Sequence, residues 1–389
     1  MSEAVVIIGS GLAGYNVARE LRKADANVPI VVVSRDHAGF YSKPMLSNAL
    51  AGKKTAATLV MKPAEKMSED IKGRVIANSA VTGIDTQART VTLASGEVLA
   101  YRDLVLALGA DPIRLPLKGD AADTVLSVND LDDFARFAEA LDTAGPGGQP
   151  VKRVAILGAG LIGCEFANDL LHREVQPTVL DLAERVLPRL LPPQASARLQ
   201  AKLEAGGASF RFGTGVTAVN RGANGLVLTL SDGSQLETDL VLSAIGLKPR
   251  TQLAADAGVA VNRGIVVDRH LATNVPHVHA VGDCAEVAGH LLPYVLPLMG
   301  QARALAATLA GKPTEVSYPA MPVVVKTPAW PTVVCPPAGD AQGEWEVTET
   351  EEAIEARFMA GDQQLGFVLQ GKATSQRQAL AAQTPALLA

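Results

Sequence analysis

Short apolar runs alternate with amphipathic segments along most of this chain of 389 residues. Residues 5–8 (VVII) form one apolar run, and the segment YNVARELRK that follows places apolar residues at helical spacing. Residues 30–33 (IVVV) form the next run. Runs without polar alternation are typical of strands buried on both faces of a parallel sheet. The pattern therefore predicts an α/β unit of strand, helix and strand.

The same order of elements occurs a second time. Residues 153–173 (RVAILGAGLIGCEFANDLLHR) predict a strand and a helix, and PTVLD at 177–181 predicts the next strand. Each copy continues into alternating segments that predict a β-meander, at 74–99 and at 210–238. Each copy closes on an apolar run, LVLALGADP or LVLSAIGLKP, and GPGGQP near 145–150 predicts a hinge or linker between the copies. The chain therefore contains an internal duplication.

A glycine fingerprint lies between the first strand and the helix of each copy. The motif GxGxxG begins at Gly9 in the first copy and at Gly158 in the second. Its first glycine permits a tight turn, its second lets the backbone approach a pyrophosphate, and its third allows close helix packing. The helix N-terminus favours the anion. The sequence therefore predicts two nucleotide sites.

The residue that ends the second strand of each copy indicates which nucleotide is bound. Asp181 ends PTVLD at the spacing of a ribose-binding carboxylate. A carboxylate there accepts a hydrogen bond from the 2′-hydroxyl and repels a 2′-phosphate, which favours NADH over NADPH, while the nearby Arg185 weakens that preference. In the first copy Ser34 and Arg35 stand where the acid is expected. Asp36 follows them, and a ribose contact and a surface turn are equally open for it.

Composition and charge exclude several classes of function. Only 4% of the residues are aromatic and the net charge is −5, so a nucleic-acid partner is not expected. The longest apolar stretches are interrupted by proline, short of the roughly 20 residues of a membrane helix. With an acidic lead at the start and no secretory signal, a cytoplasmic location is expected. Cys164, Cys284 and Cys335 lie far apart and the histidines form no cluster, so neither a disulfide framework nor a metal site is predicted.

The stretch VHAVGDCAE at 278–286 completes a family pattern. The order of GxGxxG, LVLALGADP, GxGxxGxE, LSAIGLKP and VHAVGDCAE resembles the two-dinucleotide-binding flavoprotein reductases of the glutathione reductase type. The resemblance implies an α/β fold with two Rossmann-like three-layer domains, one for FAD (1–110 and 245–313) and one for NADH (111–244). From residue 314, short strand-like segments and the closing helix SQRQALAAQ predict a small C-terminal α+β domain, 314–389.

The resemblance also implies which residues hold the two cofactors. In the family, a Gly-Asp pair such as Gly282-Asp283 closes the FAD site, and its aspartate binds the ribitol chain. The FAD site is expected to include Gly9, Gly11, Leu12, Ala13, Gly14, Ser34, Arg35, Asp36, Lys43, Pro44, Val81, Ala107, Leu108, Gly109, Gly282, Asp283, Val295 and Lys326, and the NADH site Gly158, Gly160, Leu161, Ile162, Gly163, Glu165, Asp181 and Gly246.

The loop after the second strand indicates where the electrons go. Disulfide reductases of the family carry a cysteine pair soon after the first helix, and NADH peroxidases and oxidases carry one cysteine there. This chain has FYSKPMLSN at 40–48, without cysteine, and SKPMLS resembles the flavin loop of ferredoxin and rubredoxin reductases. The resemblance implies that FAD takes a hydride from NADH and passes single electrons to rubredoxin, a small iron protein.

Three charged side chains are candidates for a role at the flavin. The family's Lys–Glu pairing implies that Lys43 lies near the isoalloxazine, stabilises negative charge there and pairs with Glu165 across the domains. On general grounds a solvated lysine and a helix-facing glutamate are the alternative. Lys326 either deters aggregation at an edge strand or lies at the flavin edge. The segment LPYVLPLMG is expected to begin a helix aimed at the flavin pyrimidine.

Other functions fit the same residues. An NADH-dependent reductase of a ferredoxin or of a flavorubredoxin would carry the same fingerprints, because the docking surface for the partner is not marked in the sequence. A non-catalytic protein that senses flavin and NADH through association is a further alternative. It is disfavoured because the chain contains no long interaction insertion.

Overall fold

The computed structural model describes residues 4–389, so the acidic lead at residues 1–3 lies outside them. The strands of the described residues are, in chain order, β1 (Ala4–Ile8), β2 (Ile30–Val33), β3 (Arg74–Ile76), β4 (Val81–Asp85), β5 (Thr90–Leu93), β6 (Val98–Leu106), β7 (Ala110–Pro112), β8 (Arg153–Leu157), β9 (Gln176–Asp181), β10 (Ser209–Phe212), β11 (Val216–Gly222), β12 (Gly225–Leu230), β13 (Gln235–Thr238), β14 (Leu240–Ser243), β15 (Leu247–Pro249), β16 (Ile265–Val267), β17 (Val278–Ala280), β18 (Ala285–Val287), β19 (Val323–Val325), β20 (Thr332–Cys335), β21 (Glu344–Glu349), β22 (Ala353–Ala360) and β23 (Gln363–Gly371).

Helices cover the sheets and connect them. The α-helices are α1 (Leu12–Ala24), α2 (Ala56–Leu59), α3 (Ala64–Ile71), α4 (Leu131–Thr143), α5 (Leu161–Leu171), α6 (Pro193–Ala205), α7 (Gln252–Asp256), α8 (Val295–Leu309) and α9 (Arg377–Gln383). Short 3-10 helices lie at Lys43–Asn48, Ala122–Thr124, Pro146–Gly148, Gly282–Cys284 and Lys372–Gln376. Among the described residues, no helix is both long and apolar enough to cross a bilayer.

The first unit is built on a seven-stranded sheet. Its order is β3-β2-β1-β6-β5-β4, and β17 pairs with β6. The strands β3, β2, β1, β6 and β17 are parallel to their neighbours, and β4 and β5 form an antiparallel extension. Both faces of β1 are buried, since the successive residues Val5, Val6 and Ile7 are 0% exposed, which explains why its sequence has no polar alternation. Because β17 returns to this sheet, the unit combines the start of the chain with a much later segment.

The second unit is built on the duplicated elements. Its parallel sheet has the order β10-β9-β8-β14, and β11, β12 and β13 form a separate antiparallel sheet. The GPGGQP segment was predicted to be a linker and instead forms the turn between α4 and β8. Both elements contribute side chains to one apolar core, Phe137 of α4 and Ile156 of β8 among them, so this segment lies within a unit.

The two meanders differ from the prediction at their edges. The segment at 74–76 was predicted as part of a meander, but β3 pairs in parallel with β2 and extends the main sheet. The predicted end of the first meander and the closing strand are one continuous strand, β6. In the second copy the corresponding strand is interrupted at Asp239, whose carboxylate accepts hydrogen bonds from the main-chain amides of Lys152 and Arg153. One buried side chain therefore separates β13 from β14.

Two short strands cross between the first and the second unit. β7 and β15 pair antiparallel, with Ala110 opposite Pro249. Arg250 fastens the crossing, because its Nη1 donates to the Leu108 carbonyl at 2.8 Å and its Nε donates to Asp111 at 2.7 Å. The chain enters the second unit and leaves it through this pair of strands.

The third unit is a five-stranded antiparallel sheet with the order β19-β20-β23-β22-β21, followed by α9. Val325, Trp330 and Val368 of this unit are buried in the same apolar cluster as the α4 and α5 side chains of the second unit. Arg198 of α6 donates to the main-chain carbonyl of Glu351 at 2.9 Å. The third unit therefore rests on the helices of the second.

We predict that Gly163→Ala destabilises the protein and Gly83→Ala does not. An added Cβ at Gly163 would overlap the carbonyl oxygen of Gly158, whereas one at Gly83 would meet no described atom within 4 Å. Crowding of this kind costs about 3 kcal/mol or more, so the melting temperature of Gly163→Ala is expected to fall by about 5 °C or more. Circular dichroism melts measure the difference, and equal melting temperatures would contradict the close helix approach.

Candidate functional site

The residues predicted for the first nucleotide site meet at one edge of the first sheet. Residues 9–14 follow β1, residues 34–36 follow β2, residues 107–109 follow β6, and residues 282–283 follow β17. These four strands are parallel, so their carboxyl ends lie together. In open α/β sheets ligands bind outside the carboxyl ends of the strands. The four segments predicted from the sequence for the first nucleotide site therefore lie together at the carboxyl edge of the first sheet.

The first fingerprint forms an open cradle. Gly9 has φ +117°, and a Cβ there would overlap the Ala107 carbonyl oxygen. A Cβ at Gly14 would overlap the carbonyl of Gly9, whereas one at Gly11 would meet no described atom within 4 Å. No described side chain caps the amides at the start of α1. Free amides facing open space fit the pyrophosphate of a bound dinucleotide such as FAD.

The second fingerprint repeats this geometry. Gly158 has φ +107°, and a Cβ there would lie 2.7 Å from the Ala244 carbonyl oxygen. Gly160 faces space without a described atom within 4 Å of its added Cβ, and α5 begins at the next residue, Leu161. Ile162 in the first turn of α5 is 42% exposed, which leaves an apolar side chain beside this opening. The cradle fits a second dinucleotide.

The acids at the ends of the second strands both face their fingerprints. Asp181 accepts from the main-chain amide of Ala159 at 2.6 Å and from that of Ala183 at 2.8 Å. Asp36 accepts from Ser34 Oγ at 2.7 Å and lies 3.3 Å from Ser10 Oγ. Ser10 and Ala159 hold the same place in the two fingerprints, so the Asp36 and Asp181 carboxylates occupy equivalent positions. Asp36 lies two residues further along its chain segment, because Ser34 is the residue that corresponds to Asp181 in sequence.

The other two residues of the first acidic turn differ in exposure. Ser34 is buried, and its Oγ lies 2.7 Å from Ser10 Oγ. Arg35 is exposed, and its guanidinium lies 3.9 Å from the Asp111 carboxylate. The Asp36 carboxylate also accepts from the Ala38 amide at 2.9 Å, the contact of a turn, so both alternatives for that residue stay open.

Lys43 begins the 3-10 helix of the loop after β2. Pro44 follows it in the first turn of that helix. The lysine is half-buried, and burial lowers its pKa, while the charge of Asp283 raises the pKa and that of Arg250 lowers it. The side chain therefore lies within electrostatic reach of the aspartate that follows β17.

The predicted pairing of Lys43 with Glu165 is wrong. Glu165 is only 2% exposed, and its carboxylate accepts from Ser47 Oγ at 2.6 Å. It also accepts from the Lys326 amide at 3.0 Å and from Lys326 Nζ at 2.5 Å. A buried carboxylate needs hydrogen bonds and a counter-charge. Ser47 and Lys326 supply both. Lys326 directly follows the edge strand β19, and its ammonium group points inward to Glu165 instead of facing solvent.

Other predicted site residues lie at the starts of elements or in turns. Val81 begins β4 and packs against the core of the first unit. Val295 begins α8, as the LPYVLPLMG segment predicted, and is 39% exposed. Gly246 follows β14 with φ +117°, and its added Cβ would lie 3.6 Å from Ile113. Gly109 has φ +72° and lies beside Arg250.

The sequence interpretation missed several polar residues that hold the site together. Arg250 fastens the crossing strands, and Ser47 donates to Glu165. Gln301 of α8 is buried; it accepts from the Gly282 amide at 2.7 Å and donates to the Tyr318 hydroxyl at 2.9 Å. Asp169 of α5 is buried as well. The sequence did indicate Asp169, because an acid one turn after Glu165 on an otherwise apolar helix is unusual.

The cysteines are free and buried. Burial raises the pKa of Cys284 to about 11, and the charge of the neighbouring Asp283 acts in the same direction. Its Sγ lies 3.4 Å from the Leu106 carbonyl and faces the core. Burial also raises the pKa of Cys335 to about 11 and raises that of Cys164. A thiol that stays protonated is a poor nucleophile and a poor electron carrier.

Comparison with known proteins assigns both parts of the chain. Residues 3–308 match the family model described as pyridine nucleotide-disulphide oxidoreductase, and residues 315–384 match a rubredoxin binding C-terminal domain. A rubredoxin-NAD(+) reductase of Alcanivorax borkumensis is 49% identical over 386 residues, 99% of each chain. One of Acinetobacter baylyi is 45% identical over 382 residues, 97% of this chain and 96% of that one.

A solved structure has the same fold. The ferredoxin reductase of Rhodopseudomonas palustris superposes with a TM-score of 0.88 at 28% identity, over 99% of this chain and 96% of that one. The predicted α/β fold, with its Rossmann-like units and a small C-terminal domain, is confirmed. The expectation of FAD and NADH as cofactors is also confirmed, because the matching family uses both. The chain belongs to the pyridine nucleotide-disulphide oxidoreductase family.

Proposed function

We propose that the protein is an NADH-dependent flavoprotein reductase that passes electrons to rubredoxin. The observation that carries the proposal is the rubredoxin binding C-terminal domain at 315–384, joined to two nucleotide cradles in one chain. Two relatives matched over nearly their full length are named rubredoxin-NAD(+) reductases. Lys326 connects the two parts, because it leaves the C-terminal sheet and binds Glu165 on the second fingerprint helix.

The residues at the two cradles act by positioning. FAD, when bound, accepts a hydride from NADH and releases electrons one at a time. Residues 9–14 hold one pyrophosphate, residues 158–163 hold the other, and each helix N-terminus contributes free amides. Fixing donor and acceptor against each other supplies much of the rate, and a hydride transfer needs no acid or base side chain. The duplication provides one holder for each nucleotide.

Charged residues select and orient the nucleotides. Asp36 is proposed to bind the adenosine ribose of FAD and Asp283 its ribitol chain. Asp181 is proposed to bind the ribose of NADH and to disfavour a 2′-phosphate, since it stands beside the second fingerprint as Asp36 stands beside the first. Lys43 lies near Asp283 and is proposed to supply positive charge at the isoalloxazine. Lys326 and Glu165 are proposed to line the same region.

The domain boundaries follow the sheets. We propose an FAD-binding domain of residues 1–110 and 245–313, because β17 pairs with β6. The NADH-binding domain is proposed to span 111–244, between the crossing strands β7 and β15. Residues 314–389 are proposed to form the partner-binding domain. A cytoplasmic location is also proposed, since the three cysteines are free in the described part of the chain.

The electron acceptor is tested with purified carriers. The protein, loaded with FAD, is mixed with NADH and with a rubredoxin, a ferredoxin or a flavorubredoxin, and cytochrome c reduction is followed as ionic strength rises. We expect rubredoxin to give the highest kcat/KM and the rate to fall with salt, because acidic rubredoxin is steered by surface charge. Turnover with ferredoxin alone would replace the proposed acceptor, and flavin reduction without any carrier turnover would favour an NADH sensor.

The role of Lys43 is tested by Lys43→Met. Removal of one preorganised charge from a reacting group slows the chemical step on the order of 10²-fold. We expect anaerobic stopped flow to show this loss in the reduction of the flavin by NADH, with FAD content unchanged. Lys54→Met, an exposed lysine of the same loop, is the control and keeps the wild-type rate. A wild-type rate in Lys43→Met removes Lys43 from the mechanism.

The thiols are predicted to take no part in turnover. Below pH 9 the buried thiols stay protonated, since burial raises the pKa of each one, to about 11 for Cys284 and for Cys335. Iodoacetamide at pH 8 is therefore expected to label no cysteine of the native protein, to label all three after unfolding in urea, and to leave carrier reduction unchanged. Rapid loss of activity together with labelling of one native cysteine would show that a thiol carries electrons.

A further inference from the structure

The helix of the second fingerprint carries a buried polar stripe. Glu165, Asn168 and Asp169 are 2%, 3% and 1% exposed, although most other residues of α5 are apolar. Their spacing along the helix places them on one face. Buried polar groups of this kind are retained where they have partners. Each of the three has its partner outside the second unit's own sheet.

Asp169 holds the end of the flavin loop. One carboxylate oxygen accepts from the Leu50 amide at 2.9 Å, and the other accepts from the Ala51 amide at 2.8 Å. One turn earlier on the helix, Glu165 accepts from Ser47 Oγ at 2.6 Å. Two carboxylates therefore anchor residues 47–51 to α5. This segment begins in the last turn of the 3-10 helix that begins at Lys43.

The loop is also packed into the second unit. Leu46, Ala49 and Leu50 are buried in the apolar cluster that contains the α5 side chain Phe166. The chain reaches this cluster from β2 of the first unit and returns to β3 of the same unit. The loop is thus an arm of the FAD unit fixed to the helix whose N-terminus faces the NADH cradle.

The bonding of Asp169 differs from that of a comparable acid, Asp239. Both are buried, and both accept from two successive main-chain amides, those of Lys152 and Arg153 in the case of Asp239. Asp239 also forms an ion pair with Arg153 at 2.7 Å, whereas no salt bridge joins Asp169 to another described residue. A buried charge held by amides alone depends on those bonds. The loop and the Asp169 carboxylate therefore hold each other in place.

We propose that Asp169 is a positioning residue for hydride transfer. By fixing residues 47–51 on α5, it sets where Lys43 stands relative to a nucleotide bound at the start of that helix. The inference rests on the proposed reduction of the flavin by NADH. It does not depend on which protein accepts the electrons, so the two can fail separately.

The test compares Asp169→Asn with Asp239→Asn. In Asp169→Asn an NH₂ group replaces one of the two acceptor oxygens. Because NH₂ cannot accept a hydrogen bond from a main-chain N–H, the bond to either Leu50 or Ala51 is lost. We expect flavin reduction by NADH in anaerobic stopped flow to slow about 10- to 100-fold, because small misplacements of reacting groups have costs of this size. FAD affinity and NADH affinity are expected to stay within about twofold of wild type.

Hydrogen exchange gives a readout that does not use the reaction. Amides of residues 43–51 are expected to exchange faster in Asp169→Asn, with and without FAD, and to be unchanged in Asp239→Asn. The Asp239→Asn control loses main-chain bonds at the opposite end of β8, so it is expected to melt earlier but to keep the wild-type rate of flavin reduction. The proposal would be overturned if Asp169→Asn and Asp239→Asn lost flavin-reduction rate in the same proportion to their loss of melting temperature.

A second variant covers the case in which Asp169→Asn does not fold. Asp169→Glu keeps the charge but displaces it by one methylene, and it is expected to slow flavin reduction about threefold or more while raising exchange at 43–51. A wild-type rate in a folded variant whose loop exchanges faster would also overturn the proposal. Normal flavin reduction in wild type without rubredoxin turnover would contradict only the proposed acceptor.

Discussion

A carboxylate with almost no access to water, that of Glu165, must find its hydrogen bonds and its counter-charge inside the protein. Its partners come from two other parts of the chain, Ser47 from the first unit and Lys326 from the third. Removing either partner would leave a charge that the interior solvates poorly. The three units are therefore held in one arrangement at the place where the two nucleotides are proposed to meet.

The duplicated units depend on a simpler constraint, the close approach of helix and strand at the fingerprints. The third glycine of each motif, Gly14 or Gly163, lies against the carbonyl of the first, so no side chain fits there. The second glycine faces open space instead. One motif thus supplies both the tightest packing of each unit and its opening toward a ligand, and its repetition provides two holders for nucleotides that must face each other.

The C-terminal domain is more than an attached partner-binding module. It shares an apolar core with the second unit, and Lys326 reaches the helix that begins the NADH cradle. Trp330 of this domain has Lys202 of α6 4.8 Å from its ring centre and Arg198 5.6 Å from it. The C-terminal domain is therefore fixed to the second unit by apolar packing, by two cations beside Trp330 and by an ion pair on the second fingerprint helix.

Local pattern in the sequence determined the duplication, both fingerprints, the fold class and the segments that meet at each fingerprint, because strand ends and glycine turns are written in neighbouring residues. It did not determine which charges meet. Lys43 and Glu165 were matched by family analogy, while the fold gives Glu165 to Lys326, 161 residues away. The partner of Gln301, the Gly282 amide, was missed for the same reason. A buried polar group takes whichever partner the packing of distant segments presents, and only the tertiary structure decides that.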